Sequence, residues 1–404
     1  MHTKMSTYGI LIMLVLLLTA CNNQGSTSEV IETSQSQEIP GEEETNSTEV
    51  EEPIQLLIEE DIPSLYKQYE DYFTVGVAVP MKFMGDENMS ALIKKHFNSM
   101  TAENSMKPEG MINAGDPTRI QTVMSDMYSN YTIENNIGLR GHTFVWHQAT
   151  PDWYYREDFS RSGAVVSKEV MYERLENHIM LICERYNDTN LYAWDVCNEV
   201  IDPSTETMYR DSLWYKICGT EYIEKAFEFA RKYTEGTDIK LYYNDYNVVS
   251  DETKRMAIYE MVKELKEKDL IDGIGLQSHI NISGPSASEF EETIELFETL
   301  DLEVSITEMD ISVFTDSKDT IDGPDDFEQR MILQANLYKD VFDVCVEHSD
   351  TVANITFWSL KDDQSWLNAY FGRSKNWPVL FDKDYQAKYA FWGLVDPSKV
   401  PELE

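Results

Sequence analysis

From about residue 62 the chain alternates between two textures. Short apolar or β-branched runs occupy 73–79, 97–102, 138–146, 191–197, 239–244, 273–279, 303–308 and 354–360. Runs of this length between polar segments predict buried strands. Between most of them lie amphipathic stretches of helical period. In 167–186, Met171, Leu175, Ile179 and Ile182 fall on one face; in 327–346 the stripe is Leu333, Leu337, Val341 and Val344. Both stripes read as core-facing packing surfaces. Eight strands alternating with helices predict an α/β protein with a parallel sheet. At this length a closed (β/α)8 TIM barrel is favoured over an open doubly wound sheet. No Gly-rich phosphate loop follows the first strand, which argues against a nucleotide fold.

The residues ahead of this body obey other rules. Residues 1–20 read as a lipoprotein signal peptide: Lys4 gives a basic start and 10–18 form an unbroken apolar run, short for a membrane span. Leu18-Thr19-Ala20-Cys21 resembles the bacterial lipobox, which makes Cys21 the expected lipid attachment site and the membrane a partner through that anchor. An ordinary cleaved signal is the alternative, and both readings export the protein. The first leaves it lipid-anchored to a bacterial membrane or cell surface. Residues 22–60 contain eleven Glu and no Lys or Arg. Such a segment buries too little apolar surface to offset its ordering entropy, so 21–61 read as an acidic disordered tether and 62–398 as the folded body.

Composition narrows the partners. A hydrophobic content of 42% with 12% aromatic suits a packed body, and a formal charge of −40 repels phosphates, which argues against nucleic acid as a partner. A neutral ligand is compatible with that field. Apart from Cys21, the cysteines Cys183, Cys197, Cys218 and Cys345 are widely spaced with no C-x-x-C pair, and read as isolated buried thiols.

In a parallel barrel, strand interiors are apolar and chemistry collects at the C-terminal ends. Here the predicted strands end in polar groups repeatedly. Glu103, Asn104 and Lys107 follow the second, and His142, Trp146 and His147 the third. Asn198 and Glu199 follow the fourth, Asn244 and Asp245 the fifth, and Gln277 and His279 the sixth. Glu308 and Asp310 follow the seventh, and Trp358 the eighth. One such end would be a rim ion pair; seven on one rim argue for a site. Glu199 and Glu308 are the natural pair, because retaining glycosidases need two carboxyls about 5–5.5 Å apart. Crowding them, with one less solvated, would raise one pKa and create an acid.

Trp146, Trp153, Trp194, Trp358 and Trp366 fall in or near strand ends, and flat apolar rings suit the C–H faces of sugars. Trp194, inside a strand run, reads as core; Trp358 and Trp366 read as platforms. Seven His and many carboxylates show no H-E-x-x-H or comparable spacing, so no metal site is expected. Nor is there a Gly-x-Ser-x-Gly elbow of a serine esterase.

The blocks occur in a fixed order. They are Phe97-Asn98-Ser99-Met100-Thr101-Ala102-Glu103-Asn104 with Lys107-Pro108, Arg140-Gly141-His142-Thr143 with Trp146-His147, and Trp194-Asp195-Val196-Cys197-Asn198-Glu199. Then come Tyr243-Asn244-Asp245-Tyr246-Asn247, Gln277-Ser278-His279, Thr307-Glu308-Met309-Asp310 and Ser365-Trp366. From about 62 to 398 the chain resembles the xylanases of glycoside hydrolase family 10. The resemblance implies endo-acting, retaining hydrolysis of β-1,4-xylosidic bonds in xylan, with Glu199 as acid/base and Glu308 as nucleophile. It implies that His279 contacts the nucleophile, that Asp310 orients it, and that Asn198 holds the sugar 2-hydroxyl. Glu103, Asn104 and Lys107, with His142 and Trp146 beside them, would bind sugar on the non-reducing side. Tyr246 and Gln277 would join the substrate contacts, and Trp358 and Trp366 would close over the chain. No cofactor is implied, and a monomer is expected.

Two departures stand out: Ala149 occupies a place usually held by a sugar-binding glutamine, and Ser359 stands where Gly is usual. Two other readings compete. One is a retaining glycosidase acting on another β-glucan; the other is a surface glycan-binding protein without activity, which would have no need for both carboxyls.

Overall fold

A computed structural model describes residues 62–370 and 375–403 of the chain. The signal-peptide reading, Cys21 and the acidic tether lie outside the described residues. The strands are β1 (Thr74–Val79), β2 (Ser99–Ala102), β3 (Gly138–Trp146), β4 (Leu191–Asn198) and β5 (Lys240–Asp245). They continue with β6 (Gly273–Leu276), β7 (His279–Asn281), β8 (Glu303–Ser312) and β9 (Val352–Phe357). β1 to β6 pair in parallel in chain order, β6 then pairs with β8, β8 with β9, and β9 with β1. That closes an eight-stranded parallel barrel. A helix follows each barrel strand: Glu87–His96, Val123–Asn135, Lys168–Tyr186, Glu221–Tyr233, Glu252–Glu267, Ala287–Glu298, Pro324–Glu347 and Tyr389–Val395. The expected (β/α)8 barrel is the observed fold.

The first amphipathic stripe packs as read, with Met171, Leu175, Ile179 and Ile182 all buried. The second packs in part: Val341 and Val344 are buried and Leu337 packs against the core. Leu333 is exposed, and the helix Pro324–Glu347 also buries Met331, Ala335, Tyr338, Phe342 and Cys345, which the stripe left out. Tyr338 anchors that face because its hydroxyl donates to Pro378 O at 2.6 Å. A stripe of aliphatic residues alone could not register it. Trp194 is core, stacked on Phe144 at 4.2 Å. Gly141 permits this: a Cβ there would lie 2.2 Å from the indole. The four cysteines Cys183, Cys197, Cys218 and Cys345 are buried free thiols.

Three features correct the expected strand layout. The sixth run is two strands rather than one. Ser278, at φ 61°, turns the chain out of β6, and β7 then pairs with the far end of β8, His279 opposite Asp310. The seventh run does not end at Glu308. β8 continues to Ser312, so Glu308 and Asp310 lie within it, past its last pairing with β6 at Ile306. The strand interiors are also not wholly apolar. Arg140 on β3 and Asp195 on β4, each 1% exposed, form an ion pair inside the sheet. A buried charge is tolerated where it is paired and hydrogen-bonded, and Asp195 meets both Arg140 and His142.

Candidate active site

Glu199 follows β4 with a φ of 56°, in the left-handed region that costs a side-chain-bearing residue about 1–2 kcal/mol. Its neighbours hold the turn through the backbone. Glu199 N donates to Asn244 O at 3.0 Å and Arg210 Nε donates to Glu199 O at 2.8 Å. The N–H groups of Val200 and Ile201 both donate to the Tyr243 hydroxyl, at 3.2 and 3.3 Å. So turned, the Glu199 carboxyl accepts from Gln277 Nε2 at 3.1 Å and Asn198 Nδ2 at 3.3 Å.

Glu308 is reached from two sides. Asn244 Nδ2 donates to Oε1 at 2.8 Å, and His279 Nε2 lies 3.2 Å from Oε2. Asn244 Nδ2 also meets Asn198 Oδ1 at 2.9 Å, and Gln277 Nε2 meets the same oxygen at 3.3 Å. The Thr307 hydroxyl donates to Asn244 Oδ1 and fixes that amide. Three amides, Asn198, Asn244 and Gln277, therefore link the two carboxyls. All five side chains are buried.

Their electrostatics diverge. Burial raises the Glu199 pKa, and the charges of Asp245 and Glu308 raise it further, against a smaller lowering by Gln277. Burial pushes Glu308 the same way. There the hydrogen bond from His279 and the nearby positive charges, Lys107 among them, outweigh it and hold the carboxyl below its ordinary value. His279 is poised for this. Burial disfavours its charge, but Asp310 and Glu308 overcome that and push its pKa up to about 10. Asp310 Oδ1 lies 3.0 Å from His279 Nδ1, and its other oxygen accepts from Trp366 Nε1 at 2.9 Å. The pair is thus one carboxyl biased toward its protonated form and one biased toward its ionised form, the division of labour that acid–base chemistry at a single bond requires.

Beside the pair, Lys107 Nζ donates to Asn104 Oδ1 at 2.9 Å and sits 4.8 Å from the Trp146 ring centre. Burial lowers the Lys107 pKa against the pull of Glu308 and Glu103. His142 is held by Asp195 at 2.8 Å and meets the Trp358 ring edge-on at 5.4 Å. The His279 and Trp366 rings are 5.0 Å apart. Tyr246 takes Arg210 Nη2 on its hydroxyl at 2.8 Å. Trp366, at 37% exposed, and half-buried Trp358 and Trp146 keep ring surface available for a ligand. Trp153 instead packs on Tyr154 and Phe159. Ala149 is buried and offers no amide at the mouth, and Ser359 Oγ is turned to Lys361 O at 2.9 Å.

Sequence reasoning left four contributors without a role: Asn244, Thr307, Asp195 and Arg210. Asn244 carried a signal, since it closes the fifth apolar run. Asp195 did too, as a charge in the middle of a strand.

Comparison with known proteins agrees with this geometry. The family model described as glycosyl hydrolase family 10 matches residues 64–397. Endo-1,4-beta-xylanase A of Thermotoga maritima is 42% identical over 363 residues, which cover 89% of this chain and 33% of that protein. The chain thus spans about a third of that relative's length. The crystal structure of an endo-1,4-beta-xylanase from Caldicellulosiruptor owensensis is 41% identical, with a TM-score of 0.76, over 83% of this chain and 100% of that one. An intracellular xylanase from Thermoanaerobacterium saccharolyticum, solved as a glutamate-to-alanine mutant with xylotetraose, is 34% identical with a TM-score of 0.74, over 83% of this chain and 99% of that one. The family match takes in every strand of the barrel, and the chain belongs to glycosyl hydrolase family 10.

Proposed function

We propose that this protein cuts internal β-1,4-xylosidic bonds of xylan by a retaining double displacement, with Glu308 as nucleophile and Glu199 as acid/base. One observation carries the assignment: two buried glutamates on one barrel rim share an amide network yet are biased in opposite directions, Glu199 toward its protonated and Glu308 toward its ionised form. The xylanase names of the relatives, and the xylotetraose held by one of them, support xylan as the polymer.

In the first step a Glu308 oxygen attacks the anomeric carbon. Its bond to the leaving oxygen breaks, and Glu199 delivers its proton to that oxygen. In the second, Glu199 takes a proton from water, whose oxygen displaces Glu308 and restores the original configuration. His279 keeps Glu308 charged, with Asp310 orienting the imidazole, and Asn198 holds the 2-hydroxyl of the sugar under attack. Glu103, Asn104, Lys107, His142 and Trp146 bind sugar on the non-reducing side. Tyr246 and Gln277 contact the chain, while Trp358 and Trp366 cover it. Neither step draws on a cofactor.

The test is release of reducing ends from xylan and from β-glucan, with products resolved by length. Short xylo-oligosaccharides from xylan are expected. Cleavage confined to glucan would replace the substrate, and binding of xylan without cleavage would end the enzymatic reading. For the part ahead of the barrel, the proposal is export and lipid attachment at Cys21, supported by the apolar run and Leu18-Thr19-Ala20-Cys21. Mass analysis of the mature N-terminus tests it; an unlipidated Cys21 would contradict it.

A further inference from the structure

Behind Glu199, on the side of β5, lie three buried polar groups that the two-carboxyl scheme does not use. Tyr243 and Asp245 are fully buried, and Lys254, in the first turn of the helix Glu252–Glu267, is 1% exposed. The Tyr243 hydroxyl accepts the Val200 and Ile201 N–H groups and donates its own proton to Asp245 Oδ2. Asp245 Oδ1 takes Lys254 Nζ at 2.6 Å and Tyr246 N at 2.9 Å. Lys254 Nζ also lies 3.4 Å from the Tyr246 ring centre.

Stability alone is a poor reason for this arrangement. A buried ion pair seldom stabilises more than apolar residues of the same shape, and the lost solvation of both ions offsets their attraction. What the group does hold is the left-handed turn at Glu199. Without the Tyr243 hydroxyl, two consecutive N–H groups would be left buried and unpartnered in the residues directly after Glu199. Asp245 is also the charge that weighs most on Glu199, ahead of Glu308.

We infer that Tyr243, Asp245 and Lys254 form a positioning unit for Glu199, holding the turn that presents its carboxyl to the leaving oxygen and setting the charge behind it. This rests on the acid/base reading of Glu199 and deepens it. The charged and titratable groups facing Glu199 come from several elements: Glu308 from β8, Asp245 from β5, Tyr246 just past β5, Arg210 from the segment after β4, and Lys107 from the segment after β2. Of these, Asp245 is bound through Tyr243 to the backbone of the Glu199 turn itself, so geometry and charge act through one group. Burial raises the Asp245 pKa, while Lys254 and the Tyr243 hydrogen bond oppose that and favour the anion. Asp245→Asn removes the anion and leaves the Lys254 ammonium uncompensated. Both changes weaken the hold of Glu199 on its proton.

The experiment measures kcat/KM against pH for the full chain and for Asp245→Asn and Tyr243→Phe. It uses two aryl xylobiosides, one with a poor and one with an activated leaving group. The basic limb is expected to move to lower pH in Asp245→Asn, by about half a unit or more. Both variants should lose about tenfold or more on the poor leaving group and much less on the activated one, with KM close to the parent's. An unmoved limb together with equal losses on both substrates would overturn the inference. Tyr243→Phe keeps the buried ring, so it carries the test if Asp245→Asn does not fold. If Tyr243→Phe also failed to fold, the unit would belong to barrel stability, and the inference would be equally overturned. A parent inactive on xylan and on both aryl xylobiosides would instead refute the proposed function.

Discussion

His279 Nε2 lies 3.2 Å from Glu308 Oε2. The other ring nitrogen faces Asp310, which in turn accepts from the Trp366 indole, so a line of contacts runs from the rim to the proposed nucleophile. An imidazolium held this way keeps Glu308 ionised against the upward push of burial. The Glu199 carboxyl is met by neutral amides and keeps its proton to higher pH.

This asymmetry fixes the shape of the pH profile. In the proposed mechanism, activity requires Glu308 ionised and Glu199 protonated. The rate should therefore rise as pH climbs through the depressed Glu308 pKa and fall as pH climbs through the raised Glu199 pKa. We predict a bell in kcat/KM whose limbs lie below and above the ordinary glutamate value of about 4.3. Measurement on xylotetraose checks this; a basic limb at or below that value would contradict it.

Glu308→Gln retains the shape of the side chain but removes the anion proposed to attack the sugar. Turnover on xylan should fall by roughly 10⁴-fold, with xylotriose affinity by calorimetry changed only a few-fold. Substantial residual turnover would remove Glu308 from its role.

Glu199→Ala should discriminate between leaving groups. Loss in the glycosylation step should reach about 10²–10⁴-fold on xylan and be far smaller on activated aryl xylosides, which leave without a proton. Pre-steady-state rates on the two substrate types test this, and equal losses would exclude proton donation.

Asp310→Asn acts one step removed. Without that carboxylate the His279 pKa drops from about 10 toward its usual range. The imidazole then loses its charge near neutrality, well above the acidic limb, where His279 is still protonated and keeps Glu308 ionised, so that limb should stay in place. The nitrogen chemical shifts of His279 followed against pH measure the drop, and a midpoint still near 10 would break the proposed line from Asp310 to His279.

The barrel was legible because its strands are short apolar runs and its helices carry a 3.6-residue period. These patterns separate cleanly in a protein whose strands are covered on both faces. Glu199 and Glu308 were legible as charges at or near the ends of such runs. The break at Ser278 was hidden because a left-handed residue leaves no mark in an apolar pattern when it is not Gly. The extension of β8 to Ser312 was hidden because Glu308 and Asp310 look like a strand's end, although backbone pairing with β9 runs on to Met309 and pairing with β7 to Ser312. Leu333 misled for the opposite reason: hydrophobicity counted for it, while the packing centred on Tyr338. The amide bridge through Asn244 is a three-dimensional fact, made by strands far apart in sequence. Residue types at strand ends announced that polar groups gather there, and not which atoms meet.

Under the proposed double displacement, Glu308 becomes covalently bonded to sugar during turnover. Incubation with a 2-deoxy-2-fluoro xylobioside bearing an activated leaving group, followed by digestion and mass analysis of the peptides, measures this directly. One fluoroxylobiosyl adduct is expected, on the peptide carrying Glu308 and absent from Glu308→Gln. An adduct on another carboxylate, or hydrolysis of xylan with inversion and no adduct, would contradict it.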